Sequence, residues 1–123
     1  MTSRINFETL VDQALDSIPD WLLERLENVA IVVEDAPDPE DLAEMDIPPG
    51  SELYGLYVGI PLTQRNSAYS MVLPDRIVIY RNALRRNFRD INELREQVRQ
   101  TVLHEVGHAL GMDHEKLAEL GLI

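Results

Sequence analysis

Three histidines and one glutamate lie close together near the end of the 123-residue sequence, and these residue types can support metal chemistry. Residues 104–114 read His-Glu-Val-Gly-His-Ala-Leu-Gly-Met-Asp-His and contain every histidine of the chain. His104 and His108 are four residues apart, so on an α-helix they share one face and can bind the same metal ion. Glu105 follows about 100° round the helix, where it can reach a metal-bound water without displacing a ligand. The pattern predicts a zinc site with a general base beside it.

Gly111 and His114 extend this pattern towards a third ligand. Gly111 permits a left-handed backbone conformation that ends a helix and reverses the chain. If the helix continued, His114 would lie about 9 Å further along the axis than His108 and would point away from it. A turn at Gly111 instead allows His114 to fold back, so the spacing predicts His114 as the third zinc ligand.

The composition indicates one globular domain over residues 1–123, because apolar residues make up 45% and charged residues 27% of the chain. The chain has no cysteine, which excludes disulfides and a cysteine-type structural zinc site. The net charge of −11 argues against nucleic acid as a partner. Glu8 and Asp12 interrupt any apolar signal core, and no run of about 18 apolar residues occurs. We therefore expect a cytoplasmic protein that does not insert into membranes.

The charged residues are distributed unevenly along the chain. Residues 34–46 contain seven acidic and no basic residues, whereas residues 76–99 contain seven arginines. The simplest interpretation is an acidic, solvent-exposed loop beside a basic surface. Two alternatives stay open: an arginine patch that binds an acidic substrate, and an acidic flap over the cleft.

Hydrophobic periodicity predicts the helices that must position the metal motif. They are residues 6–17, a short helix with Pro19 in its first turn, residues 82–88, and a long helix from Ile91 to about Leu110. Asp90, with Glu93 three residues later, gives the start signal of the long helix. Because His104 and His108 lie beside the apolar stripe of this helix, it can pack on a sheet and still present both histidines along its flank.

Short runs of β-branched and aromatic residues predict three strands, at residues 30–33, 53–60 and 76–80, with a further short edge segment at 69–73. The segment 34–50 is rich in proline, lacks periodicity and predicts a long loop. This order of elements predicts an α+β fold, in which a small mixed or antiparallel sheet packs against the long metal-binding helix.

Several segments that extend beyond the metal motif resemble the minimal zincin-like metallopeptidases, a family of short bacterial proteins. The similar segments are residues 28–34, 53–62, 73–79 and 98–110. The resemblance extends from about Phe7 onward and implies a zincin-type fold with a curled sheet against the metal-binding helix. It also implies His104 and His108 as zinc ligands, Glu105 as the catalytic acid/base and Gly111 as the turn glycine.

The resemblance leaves an alternative for the third ligand. The short family tolerates an acidic residue near His114, so Asp113 is an alternative ligand or a residue that orients a histidine. Nine residues follow His114 in this sequence and none is methionine, so we do not expect the methionine turn that metzincins place beneath the metal. We expect Met112 to fill core space instead.

Together these features predict a zinc-dependent metallopeptidase that acts on a peptide or protein substrate, with Glu105 as general acid/base. An extended peptide would pair with the edge of the strand within residues 54–60. Four tyrosines are candidates for stabilising the oxyanion: Tyr54, Tyr57, Tyr69 and Tyr80. One alternative is a catalytically weak or inactive, zinc-stabilised module that binds a peptide or protein. Another is a non-haem iron site built from two histidines and Asp113.

Overall fold

The computed structural model describes residues 6–26, 29–59 and 75–122, and this part of the chain forms a mixed α+β fold, as predicted. The helices are α1 (Phe7–Ser17), α2 (Asp20–Leu23), α3 (Pro39–Glu44), α4 (Arg81–Asn87), α5 (Ile91–Ala109) and α6 (His114–Glu119). The strands are β1 (Val29–Glu34), β2 (Gly55–Val58) and β3 (Asp75–Tyr80). The predicted edge segment at 69–73 lies outside the described residues.

The sheet is mixed, with β3 between β1 and β2. β1 runs parallel to β3, with Ile31 opposite Ile77, whereas β2 runs antiparallel to it, with Tyr57 also opposite Ile77. Within the described residues, β2 therefore has a strand neighbour on one side only. Successive side chains of β3 point to opposite faces of the sheet. Ile77 and Ile79 join the main core, and Val78 and Tyr80 join a second cluster.

The main core lies between the sheet and the two longest helices, α1 and α5. Asp90 begins α5, because its carboxylate accepts hydrogen bonds from the backbone N–H groups of Asn92 and Glu93, both at 3.1 Å. Val98, Val102 and Val106 lie on the buried face of this helix and are fully enclosed. The helix that carries the metal motif is therefore fixed by its apolar face.

The prediction of a loop throughout residues 34–50 is wrong, because α3 lies within this segment. Asp38 caps the helix by accepting a 2.8 Å hydrogen bond from the backbone N–H of Glu40. Pro39 follows at the first helical position, where its missing N–H leaves no hydrogen bond unmade. Leu42 is buried in the second cluster, against the face of the sheet that carries Tyr80. An aspartate followed by proline is a helix start signal that outweighs the absence of periodicity in so short an element.

α3 ends in a turn that sends the chain towards the metal-binding helix. Asp46 adopts a left-handed backbone conformation with φ of +58°. The backbone N–H of Ile47 donates to the carbonyl of Leu42 at 2.8 Å, and that of Asp46 donates to Ala43 at 3.2 Å, which is the Schellman arrangement. This turn fixes the positions of Met45 and Ile47, which border a cavity beside His108.

The acidic segment and the arginine-rich segment contact each other. The guanidinium of Arg76 binds both carboxylate oxygens of Asp41, at 3.1 and 2.8 Å, and joins α3 to β3. Arg81, the first residue of α4, contacts one carboxylate oxygen of Asp35 at 3.1 Å. Some acidic and basic side chains of the two segments therefore form ion pairs with each other within the fold.

None of the described helices has the length and apolar character needed to cross a lipid bilayer.

Tyr80 supplies a test of the second cluster. Its side chain is fully buried, its hydroxyl has no hydrogen-bond partner among the described residues, and burial raises its pKa to about 12. Tyr80→Phe removes the unsatisfied hydroxyl and keeps the ring, so we expect the free energy of unfolding to rise by about 1 kcal/mol in chemical denaturation. The control is Tyr57→Phe, which removes a hydrogen bond to the buried carboxylate of Asp75 and should lower stability. A clear loss of stability in Tyr80→Phe would contradict the inference that the Tyr80 hydroxyl is buried without a hydrogen-bond partner in the described part of the chain.

Candidate metal centre

His104 and His108 occupy successive turns of α5, as their spacing requires. Their ring centroids are 4.4 Å apart, and the rings are inclined at 62°. The atoms of His104, Glu105 and His108 that could bind a metal all lie within 4.8 Å of one another. The sequence motif is thus a cluster of donor atoms in the folded chain, and two imidazoles beside a carboxylate suit a zinc ion.

The carboxylate of Glu105 is buried beside the two histidines, with the residue only 6% exposed. One of its oxygens, Oε1, lies 3.2 Å from Nδ1 of His108. Strand β2 approaches the helix closely at this point, because Gly55 has no side chain. A Cβ atom at Gly55 would lie 2.7 Å from Cγ2 of Thr101 and 3.2 Å from Cγ of Glu105. Glycine at this position lets β2 lie directly against the metal-binding helix.

The electrostatic environments of the two histidines differ. Burial is the largest effect on His104 and lowers its pKa. Glu105 acts in the opposite direction, while the charges of His108 and His114 lower the His104 pKa further. The hydrogen bond with Glu105 raises the pKa of His108. Glu105 therefore favours positive charge on both imidazoles, and only for His108 does its effect outweigh that of burial.

Gly111 lies where the chain leaves the metal-binding helix. α5 ends at Ala109, and Gly111 has a φ of +78°. The backbone N–H of Met112 donates to the carbonyl of Gly107 at 2.7 Å, and that of Gly111 donates to His108 at 3.0 Å. These bonds form a Schellman motif, in which a glycine at the left-handed position satisfies the last carbonyls of a helix. The chain then reverses direction, and Met112 packs partly buried against the main core.

A short helix, α6, follows this turn and was not anticipated from the sequence. Asp113 is its N-cap, because Oδ1 accepts a 2.8 Å hydrogen bond from the backbone N–H of Lys116. His114 is the first helical residue. The sequence carried a usable signal, since an aspartate before an acidic first turn, here Glu115, favours a helix start.

The two candidates for the third ligand lie on different sides of the cluster. His114 borders the same cleft as His104 and Glu105. Its ligand atoms are not within the 4.8 Å group formed by the other donors. Asp113 borders a separate cavity with His108, and one of its oxygens is already engaged as the helix cap. The cap makes Asp113 the less available ligand, and His114 as third ligand stays a prediction.

The cleft beside the cluster has a volume of about 750 Å³ and extends along α5. Tyr54 and Gly55 form one wall, and the far end reaches Glu96, which accepts hydrogen bonds from Arg99 and Gln100. A smaller cavity of about 430 Å³ lies on the other side of His108. Its apolar lining residues are Met45, Ile47, Leu56 and Met112. The candidate metal centre is therefore open to solvent and flanked by two concave surfaces.

The structure separates the tyrosines that the sequence could not distinguish. Tyr54 borders the cleft. The hydroxyl of Tyr57 donates to the buried carboxylate of Asp75, a contact that local sequence patterns did not indicate. Tyr80 is buried in the second cluster, and Tyr69 lies outside the described residues. Among the described tyrosines, Tyr54 is thus the candidate with access to a substrate in the cleft.

Comparison with known proteins agrees with this geometry. The family model described as zincin-like metallopeptidase matches residues 26–122. The chain belongs to this family. Members are expected to bind a metal ion, usually zinc, and the cluster on α5 offers donors for it. No curated protein matches the chain.

The fold is also similar to a solved structure, a conserved hypothetical protein from Thermus thermophilus. The two chains are 21% identical, with a TM-score of 0.55, and the match covers 93% of this chain and 95% of the other. At this identity the similarity shows the fold alone. It supports the arrangement of one long helix against a small mixed sheet.

The interaction of Glu105 with His108 predicts how metal binding depends on pH. A histidine must be neutral to bind a metal, so zinc affinity should fall as the pH drops through the raised pKa of His108. Glu105→Gln removes the negative partner, which lowers that pKa and should move the midpoint of the fall to lower pH. Competition with a chromophoric chelator from about pH 5.5 to 8 measures both midpoints. Coinciding midpoints would contradict the role assigned to the pair.

Proposed function

We propose that this protein is a zinc-dependent peptidase in which Glu105 is the general acid/base. The observation that carries the proposal is a buried carboxylate beside two histidines on one helix face, at the edge of an open cleft. A purely structural zinc site needs ligands but no additional carboxylate next to them. The position of Glu105 therefore favours a catalytic site.

His104, His108 and His114 are the residues proposed to hold zinc. Three protein ligands leave a coordination position for water, which distinguishes catalytic zinc from closed structural sites. When bound, zinc lowers the pKa of a coordinated water towards about 7 and polarises a substrate carbonyl. The engagement of Asp113 as a helix cap supports a set of three histidines over an iron site of two histidines and a carboxylate.

Glu105 is the residue proposed to move the proton that hydrolysis requires. In this proposal its carboxylate accepts a proton from the attacking water and delivers it to the nitrogen of the leaving amine. The contact between Glu105 and Nδ1 of His108 holds the carboxylate towards the ligands. Gly55 of β2 lies close to the same side chain and limits its movement on that side.

A peptide substrate would lie in the cleft between β2 and α5. An extended chain can add to a sheet by hydrogen bonding to an exposed strand edge, and β2 has a strand neighbour on one side only among the described residues. Because Gly55 brings β2 against Glu105, a peptide held on β2 would pass next to the carboxylate. Tyr54 is the candidate donor to the oxyanion, since its side chain borders this cleft.

Glu105→Gln tests the catalytic role. Glutamine keeps the size of the side chain but cannot accept the proton, so we expect zinc binding to persist and cleavage to fall by about 100-fold or more. Bound metal is measured by elemental analysis, and cleavage is measured with a mixed peptide library at neutral pH. Equal cleavage by both proteins would refute Glu105 as the acid/base. Zinc binding without cleavage by either protein would instead favour an inactive module that binds peptides.

The third ligand is tested by comparing His114→Ala with Asp113→Ser. Serine can cap α6 in place of aspartate but removes the carboxylate. We expect His114→Ala to weaken zinc binding by more than the about 10- to 100-fold typical of losing a residue that only orients a ligand. Asp113→Ser should bind zinc nearly as tightly as the wild type. The reverse order of affinities, measured by chelator competition, would identify Asp113 as the ligand.

A further inference from the structure

Gly107 lies inside the metal motif, one residue before His108. Its lack of a side chain allows close contact with a neighbouring helix. A Cβ atom at this position would lie 2.8 Å from Cδ1 of Leu117 and 3.3 Å from its Cδ2 and Cγ. The first of these distances is shorter than side chains tolerate. Leu117 belongs to α6, so Gly107 is the point at which α6 contacts the metal-binding helix.

The backbone of Gly107 does not itself require glycine. Gly107 lies in the regular part of α5 and is not among the residues with positive φ. Glycine in the interior of a helix is less favourable than alanine, because it loses more conformational freedom on folding. A glycine that only continues a helix therefore lowers its stability. At position 107 the close packing of Leu117, which the missing side chain allows, offsets this loss.

Leu117 is packed among other core residues, so moving it aside for an added methyl group would disturb them. It is 1% exposed and is part of the main core. The three atoms nearest to the added methyl group all belong to this side chain, which would have to rotate within a filled core to clear it. We therefore expect a side chain at position 107 to shift α6 relative to α5, because the surrounding core limits how far Leu117 alone can move.

This displacement matters for the metal site because of where His114 lies on α6. His114 precedes Leu117 by three residues, and residues three apart on a helix lie on the same face. The face that Leu117 buries against α5 thus also carries His114 towards the cleft bordered by His104 and Glu105. The distance between the two helices sets how far His114 is from the other donors.

We propose that Gly107 is a positioning residue for the third ligand: its absent side chain lets Leu117 seat α6 against α5 and so brings His114 to the metal. This inference rests on the proposed ligand role of His114. It assigns a function to a residue between the two helical histidines that neither binds the metal nor takes part in proton transfer.

The principal test is the zinc affinity of Gly107→Ala, measured by chelator competition. We expect it to fall by about tenfold or more, as for other residues that orient a ligand. In a His114→Ala background the same substitution should change affinity by less than about twofold, because the ligand that it displaces is already absent. Equal losses in both backgrounds would overturn the proposal, since Gly107→Ala would then act on His104 and His108 directly.

A second pair of variants relieves the clash instead of creating it. Leu117→Ala removes all three atoms that an added methyl group would meet. In that background we expect Gly107→Ala to leave zinc affinity unchanged or to raise it, because the new methyl group partly fills the vacated space. A further loss of about tenfold in the double variant would contradict a mechanism that acts through Leu117. This pair also keeps the test informative if Gly107→Ala alone fails to fold.

Leu120→Ala, at the C-cap of α6, is the matched control. Leu120 is 39% exposed, so its truncation should leave both α6 and zinc affinity unchanged.

The results also distinguish failure of the proposed ligand set from failure of the proposed positioning role. If His114→Ala binds zinc as tightly as the wild type, the proposed ligand set is wrong. If His114 is required but Gly107→Ala binds zinc like the wild type, the positioning role alone is wrong.

Discussion

The buried negative charge of Glu105 is the constraint around which the candidate metal centre is built. Removing a carboxylate from water is costly unless a positive group or hydrogen-bond donor compensates it. Glu105 lies beside His108 and within the influence of His104, and its charge favours the protonated form of both. This charge favours a cation at the site, either a proton on His108 or a metal ion bound by neutral imidazoles. In the proposed function, the same carboxylate would both favour metal binding and accept a proton.

Holding that carboxylate in place depends on close contact around α5. Gly55 brings β2 against Thr101 and Glu105, whereas Gly107 admits Leu117 from α6. Positions 105 and 107 are about 200° apart round a helix, so the strand and the short helix contact nearly opposite sides of α5. A side chain at either glycine would require its neighbour to move. The two glycines leave the histidine-bearing surface open between them while the apolar face of α5 stays buried in the core.

Local sequence signals were sufficient for the elements that carry the motif. The cap at Asp90, the apolar stripe of α5 and the turn at Gly111 all appear where the pattern indicated. The short helices α3 and α6 were missed because six residues contain too few turns for periodicity, although the caps at Asp38 and Asp113 were visible. Contacts between residues far apart in the chain could not be predicted from local sequence patterns. The pair of Arg76 with Asp41, the approach of Gly55 to Glu105, and the central position of β3 exist only once the sheet has assembled.

The contrast between α5 and α6 divides the metal centre into two parts with different physical support. His104 and His108 belong to a 19-residue helix whose apolar face is shared with α1 and the sheet, and neither histidine is part of that core. His114 belongs to a six-residue helix, shorter than isolated helices need to be stable in water, so its position depends on the burial of Leu117. If His114 binds the metal, zinc and the packing of α6 stabilise each other, because binding free energies coupled in this way are reciprocal. The metal would then order the third-ligand side of the site, while the core that supports His104 and His108 forms without it.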